Sequence, residues 1–296
     1  MPDVRDEIPL DASLAAHTEP AAPVEPGPRR PPRRLLARSR VGVWLPPLVA
    51  FALVALAWDV YATHHPYVLP TIGDIVRSIE HNPGMYFDNF TTTLREVAVG
   101  AAGGIAFAFV LAVIMAELPV IERALMPLMV TLMVTPVVAI APALVIAFGF
   151  GATPKYVVTG LVVFFPMLVN SVAGLRDVDA GALDVLTTLH ASRWERFRHL
   201  RLPGSLPFVF AGLRIALPLA VVGATVAEFA AAGQESGLGA LITVASSQAD
   251  LPVIWSAIVL LCALGVGLVA ALALVRRRVL WWDNEIALNA RGGRRR

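Results

Sequence analysis

The chain has 296 residues, of which 57% are hydrophobic and 16% charged, and its mean hydropathy is +0.69. Soluble domains carry about 25% charged residues, so the composition excludes an ordinary globular enzyme and points to a polytopic membrane protein. The net charge of +2 says less than its distribution, and the single Cys262, inside an apolar run, excludes an intrachain disulfide or a cysteine-based zinc site and reads as a small hydrophobe.

Residues 1–42 are rich in Pro, Ala and charge, with too few large apolar groups to bury a core, and are expected to be disordered. Arg29, Arg30, Arg33, Arg34, Arg38 and Arg40 lie against the first apolar run. That run begins only after residue 40, so an uncleaved span is expected rather than a signal peptide. The Arg cluster reads as an orientation signal that touches anionic lipid, not nucleic acid.

A bilayer core takes about 20 apolar residues per helix. Six spans are predicted, at about 41–60, 92–116, 124–150, 156–175, 206–229 and 252–275, within an all-α membrane domain of residues 43–280. The third is interrupted by Pro127, Pro136 and Pro142. Between the first two, Leu69-Pro70-Thr71-x-x-Asp74 is a helix-start signal, and a short surface helix is predicted over about 71–80 across the outer mouth. The segment 231–250, with Gln234, Glu235 and a Gly-Leu-Gly turn, reads as an outer loop, and 281–296 as a basic tail with Trp281 and Trp282 as interfacial anchors.

With the N-terminus inside, the internal segments hold 20 of the 24 basic residues; Arg77, Arg95 and the sole lysine, Lys155, fall outside, and Arg214 within a span. That asymmetry predicts a membrane protein with both termini cytoplasmic.

The longest internal loop, 176–205, holds the most polar stretch between the outermost spans. Ser192-Arg193-Trp194-Glu195 fits a capping box. The helix it opens is expected to end by Leu202, because Pro203 disfavours helix at the residue before it. Trp194, Phe197 and Leu200 share one face, and Leu183, Leu186 and Leu189 repeat the spacing upstream, so two short helices broken at His190–Ala191 are predicted. By spacing alone this is either an amphipathic segment on anionic headgroups or a docking element for a soluble partner.

The same stretch resembles the cytoplasmic EAA loop of ABC-importer permeases, roughly E-A-A-x3-G-x9-I-x-L-P. Leu200-Arg201-Leu202-Pro203 fits its end, Asp184 falls on the Glu, Val185 and Leu186 on the two Ala, and His190 on the Gly. The C-terminal half matches and the N-terminal half departs. Flanking runs, Gly212-Leu213-Arg214-Ile215, Ala227-Glu228-Phe229, Gly237-Leu238-Gly239 and Phe148-Gly149-Phe150-Gly151, resemble the nitrate, sulfonate, taurine and thiamine-precursor branch; the likeness covers about residues 60–275. It implies a type I importer permease acting as a homodimer. Its implied partners are two copies of a separate ATPase subunit and a periplasmic or lipid-anchored binding protein. Asp184, His190, Ser192, Arg193, Trp194, Glu195, Arg196, Phe197, Leu202 and Pro203 are then the expected ATPase-docking residues. The stretch 202–229 is similar to pyrimidine (thiamine-precursor) and riboflavin-like members, and somewhat less to sulfonate, taurine and nitrate permeases.

No G-x-x-x-x-G-K-[ST] phosphate loop, H-E-x-x-H or Cys/His cluster occurs, and the adjacent His64 and His65 point apart on a regular element. No cofactor, metal or catalytic residue is expected, and ATP hydrolysis would fall to the partner. Polar groups inside the spans are functional candidates: Thr131, Thr135, Asn170, Ser171, Thr225 and Glu228 outline an expected translocation path. Glu228 reads as snorkelling outward, as a gate, or as a hydrogen-bonding group inside the bundle. Arg214 reads as snorkelling inward and Asp59 as interfacial. Ser171 and Ser256 read as bonded back to their own helices, and Gly100, Gly103 and Gly104 as sites of close helix approach. An ion-coupled secondary transporter is the rival reading; the Arg-rich loop and the scarcity of membrane carboxylates weigh against it.

Overall fold

The computed structural model describes residues 40–133, 135–231 and 236–282. The expectations for residues 1–39, for Gln234 and Glu235, and for the tail beyond 282 lie outside these. The chain divides into two units, Met1–Leu45 and Pro46–Arg296. The first contributes to the described residues only the opening of the first helix, and the second carries everything below.

The described elements are helices: α1 (Arg40–His64), α2 (Ile72–His81), α3 (Pro83–Glu117), α4 (Pro119–Met133), α5 (Val137–Phe148), α6 (Ala152–Arg176), α7 (Ala180–Thr188), α8 (Arg193–Arg196), α9 (Leu202–Ala230), α10 (Leu238–Ser247) and α11 (Leu251–Val279). A π-helical turn, Phe197–Arg201, joins α8 to α9. Five helical stretches are long and apolar enough to cross a bilayer: Leu45–His64, α3, α6, Arg193–Ala230 and α11. The expected third span is divided between α4 and α5 around Thr135 and Pro136, where proline cannot continue the hydrogen-bond ladder.

The core is α6 packed between α3 and α9. Contact is close because small residues face it. A Cβ on Gly100 would stand 2.6 Å from the Cβ of Thr159, and one on Gly104 would collide with the backbone of Gly160. Gly103, one position away, faces open space, so only two of the three predicted glycines make the approach. On α3 the buried positions Thr93, Glu96, Val97, Gly100, Ala101, Ala108, Ala112 and Met115 follow helical spacing. Toward the α7–α8 end, Met115, Met167, Leu168, Val172 and Leu175 form the main apolar cluster.

The helix predicted over 71–80 is α2. Its start is a capping box: Thr71 Oγ1 accepts from Asp74 N at 3.1 Å, and Asp74 accepts from Thr71 N at 3.2 Å. The Thr71 hydroxyl also donates to the Asp74 carboxylate at 2.7 Å, and this bond above all holds that carboxyl below the usual range. Asp59 in the last turns of α1 accepts from Ile72 N, and the single hydroxyl proton of Ser256 on α11 is shared between Pro252 O of its own helix at 2.7 Å and Ile75 O of α2 at 3.2 Å.

Four expectations are corrected. Helix α3 begins at Pro83, well before the expected span start at 92. Segment 231–250 is not all loop, because it contains α10. Lys155, counted with the outer segments, is not a surface loop residue; it is fully buried in the first turn of α6. The helix opened at Ser192 does not stop at Leu202. Leu202 N–H reaches back five residues to Phe197 O, and the wide turn opens the ladder just before Pro203, where the missing N–H and the ring would otherwise break it.

Replacing Gly104 by Ala forces α3 off α6. It is expected to cost about 1–3 kcal/mol, the range for overpacking, whereas Gly103→Ala is expected to be neutral. Thermal unfolding in detergent checks the contrast.

Candidate functional site

Two polar constructions stand at opposite ends of α6 and α9. The first is buried at the end where α6 begins and α9 finishes. Helix α10 starts at Gly237, whose φ of +141° lies in the region that favours glycine. The first amides of a helix lack intrahelical acceptors and carry the positive end of its dipole. Here three amides, from the N-cap Gly237 onward, are met by side chains. Gly237 N donates to Asn89 Oδ1 at 2.8 Å, Leu238 N donates to Thr93 Oγ1 at 2.9 Å, and Gly239 N donates to Glu228 Oε2. The Thr93 hydroxyl in turn donates to Glu228 Oε1 at 2.7 Å. A side chain on Gly237 or Gly239 would collide with the Glu228 carboxylate. Glu228 is therefore neither snorkelling nor lining an open passage. Of its alternatives, the hydrogen bond inside the bundle is realised.

Beside it lies an ion pair that the sequence reading missed. Lys155 Nζ donates to Glu96 Oε1 at 2.8 Å and to Ser236 O at 3.2 Å, with both side chains almost wholly buried. A charge deep in an apolar bundle is tolerated only when paired and hydrogen-bonded. A signal was available. Glu96 lies on the same α3 stripe as Thr93, Gly100 and Gly104, and Lys155 is the only lysine in the chain.

The second construction is the loop between α6 and α9. Helix α7 closes in a Schellman motif, with Ala191 N donating to Leu186 O at 2.9 Å and His190 N donating to Thr187 O at 3.0 Å. His190 takes φ +57°, the left-handed conformation, so the turn is made as a glycine would make it. Four residues of α8 follow from the capping box at Ser192. Glu195 N donates to Ser192 Oγ at 3.2 Å, and Ser192 N donates to Glu195 Oε2 at 2.7 Å. The Ser192 backbone N–H, and after it the Ser192 hydroxyl, hold the Glu195 carboxyl below its usual range.

The predicted docking residues fall into two groups. Asp184, His190, Ser192, Arg193, Trp194 and Glu195 are exposed. Trp194 (65% exposed) joins Val185 (60%) and Leu189 (71%) as large apolar groups on this surface. Phe197, by contrast, packs on the main apolar cluster and stacks under Trp194 with ring centroids 5.7 Å apart. Leu202 and Pro203 are likewise half-buried. Arg193, Arg196 and Arg201 line a notch with Glu117 and Pro119, where Arg201 Nη1 donates to Glu117 Oε1 at 2.7 Å. Arg176, ending α6, pairs with Glu122 in the first turn of α4, each charge at the helix end that favours it.

The expected path residues lie in differing surroundings. Thr131, Asn170 and Thr225 each donate to a carbonyl four residues back. Thr131 and Thr135 are exposed; Ser171 is buried, and its hydroxyl, expected to bond its own helix, has no partner among the described residues.

A helical bundle of this length and apolarity, with a structured polar loop between two packed spans, is that of a polytopic membrane protein. The chain belongs to the family described as binding-protein-dependent transport system inner membrane component, whose model matches residues 104–280. It is 33% identical over 244 residues, 81% of this chain and 97% of the relative, to the formylaminopyrimidine transport permease protein ThiX of Halalkalibacterium halodurans. It is 36% identical over 163 residues, 55% of this chain and 60% of the relative, to the riboflavin transport system permease protein RibX of Chloroflexus aurantiacus. Over 258 residues, 86% of this chain and 92% of the relative, it is 26% identical to the putative aliphatic sulfonates transport permease protein SsuC of Bacillus subtilis. It is thus a multi-pass membrane protein of the type I class, the permease component of an ABC importer for a small solute.

Substitutions at Lys155, Glu96 and His190 test these constructions by thermal unfolding. Lys155→Met strands the buried Glu96 carboxylate and is expected to cost about 3–5 kcal/mol. Adding Glu96→Gln is expected to return most of that stability. His190→Gly removes a left-handed side-chain penalty of roughly 1–2 kcal/mol and is expected to raise the unfolding temperature, whereas His190→Val is expected to lower it.

Proposed function

We propose that the α7–α8 loop is the seat of a separate ATPase subunit on the cytoplasmic side. The observation that carries this is the exposure within one short loop of three large apolar groups, Val185, Leu189 and Trp194, and of Arg193, next to Trp194 in sequence. Aromatic and Arg side chains are the groups that anchor protein interfaces. The concentration of Arg in residues 176–205 supports an internal position for the loop, and with it both termini inside. The working unit is a homodimer with two ATPase copies and a periplasmic or lipid-anchored binding protein that delivers the solute. ATP hydrolysis takes place on the partner. Closure of the ATPase pair pushes Trp194 and the stacked Phe197, and through them α6 and α9, which switch access by moving as rigid rods.

For the solute, the reading favoured is a neutral heterocycle of the thiamine-precursor pyrimidine or riboflavin kind. The likeness to ThiX over 97% of that protein supports it. Five of the six polar groups proposed for the path, Thr131, Thr135, Asn170, Ser171 and Thr225, are uncharged, which suits such a solute; the sixth, Glu228, is occupied by Thr93 and the Gly239 amide. Sulfonate, taurine or nitrate is the second reading, supported by the likeness to SsuC.

Trp194→Ala and Arg196→Glu together are expected to lower ATP-driven uptake by about thirtyfold, the loss of roughly 2 kcal/mol at one interface anchor, while the purified chain keeps its unfolding temperature. Uptake in proteoliposomes at the wild-type rate would rule out the docking assignment.

A further inference from the structure

The notch between α8 and the turn from α3 to α4 holds more positive charge than the chain itself answers. Its volume is about 300 Å³, and its lining brings together three guanidinium groups, Arg193, Arg196 and Arg201, and one carboxylate, Glu117. That carboxylate is already taken, because Glu117 Oε1 accepts from Arg201 Nη1 at 2.7 Å. Arg193 and Arg196 open and close the four-residue helix α8, and neither has a hydrogen-bond or ion-pair partner among the described residues. Arg193 is exposed, so water serves it. Arg196 is half-buried, and its Nε–H is closed off from solvent with no acceptor. An N–H that has lost its water without gaining an acceptor carries a cost, which an acceptor arriving from outside removes. The carboxylate next to it in sequence, Glu195, is held in the capping box with Ser192.

We propose that the notch receives an Asp or Glu side chain of the ATPase subunit, whose carboxylate accepts from Arg196 and Arg193. This rests on the reading of the α7–α8 loop as the seat of that subunit, and adds the chemistry of the contact. The incoming group has to be an acceptor because the orphaned atom is an N–H donor, and anionic because two guanidinium groups at the notch lack a counter-charge. A carboxylate meets both demands, since its two oxygens match the parallel N–H groups along one edge of a guanidinium. It is carried by a protein because Arg193, Arg196 and the exposed Trp194 share α8, so a body that rests on Trp194 also covers the notch. Covering it excludes water, which strengthens the charged hydrogen bonds. A charge pair of that kind fixes the register of one partner on the other, so the notch sets where on the loop the ATPase sits.

The test uses the full chain, purified in mild detergent from its own cells with whatever it holds, as wild type and as Arg196→Lys or Arg193→Lys. Each lysine variant keeps the charge and puts an amine in the notch, while the chain's own single lysine, Lys155, is buried. A carbodiimide, which joins an amine directly to a carboxylate with no spacer, is added, and linked peptides are sequenced by mass spectrometry. At least one of the two variants is expected to be joined to an Asp or Glu of the ATPase. Arg196→Gln is expected to weaken ATPase binding by about tenfold or more, as for a lost charge-assisted contact, and to make what remains less sensitive to salt. ATPase that stays on both lysine variants with no link, or with links only to Glu117 of the same chain, would overturn the proposal and leave the seat standing. So would wild-type affinity and salt dependence in Arg196→Gln. A wild-type chain that holds no ATPase would remove the seat and the proposal together. A chain free of ATPase that retains phosphatidylglycerol over phosphatidylcholine, and loses that preference in Arg196→Gln, would assign the notch to a lipid headgroup and overturn the proposal equally.

Discussion

The close approach of α6 to α3 and α9 is the constraint on which the rest depends. In a bilayer there is no hydrophobic gain between helices, so packing and buried polar contacts must hold the bundle together. Gly100 and Gly104 let α3 lie against Thr159 and Gly160, and Gly223 lets α9 approach Thr159 and Val162. Because α6 touches both neighbours along its length, its two ends are fixed relative to those of α9. The buried clamp forms at one pair of ends and the exposed loop at the other.

The clamp and the loop solve the same problem in opposite surroundings. Both supply partners for helix N-termini whose first amides are unsatisfied. At α10 the partners are Asn89, Thr93 and Glu228, all reached across the bundle. At α8 they are the local Ser192 and Glu195, exposed to solvent. The first arrangement fixes a short helix rigidly against α3 and α9. The second shapes a small surface helix without anchoring it deeply, and its attachment comes instead from Phe197 and the Arg201–Glu117 and Arg176–Glu122 pairs. A loop held in this way is suited to passing a push from outside the bilayer to α6 and α9.

Much of this was legible in the sequence because it is local. The capping boxes at Thr71 and Ser192, the break at His190 and the stripe containing Gly100 and Gly104 each follow from residues within a few positions of one another. What escaped is long-range or depends on backbone geometry that propensity does not describe. The pairing of Glu96 with Lys155 joins residues 59 apart in sequence, and Lys155 next to a glycine-rich turn reads as a loop residue until its partner is known. The buried acceptor role of Glu228 needs Thr93 and Gly239 to converge on it from different helices. The π-turn before Pro203 replaced the expected stop because packing of α9 on α6 favours one continuous rod over a broken one. Helix α10 was hidden because ten residues are too few to register as a span. Thr131, Asn170 and Thr225 carry the right polarity for a path, but each bonds back to its own helix, a choice that residue type alone does not reveal.

The central claim is that the α7–α8 surface seats a separate ATPase. Its most direct measurement is gentle-detergent purification of the chain from its own cells, followed by native mass spectrometry of the intact assembly. The account predicts two copies of this chain with two copies of an ATPase subunit, an assembly that falls apart when the surface around Trp194 is altered. A chain that comes out without any ATPase, from cells that take up its solute normally after every candidate ATPase has been removed, would contradict it.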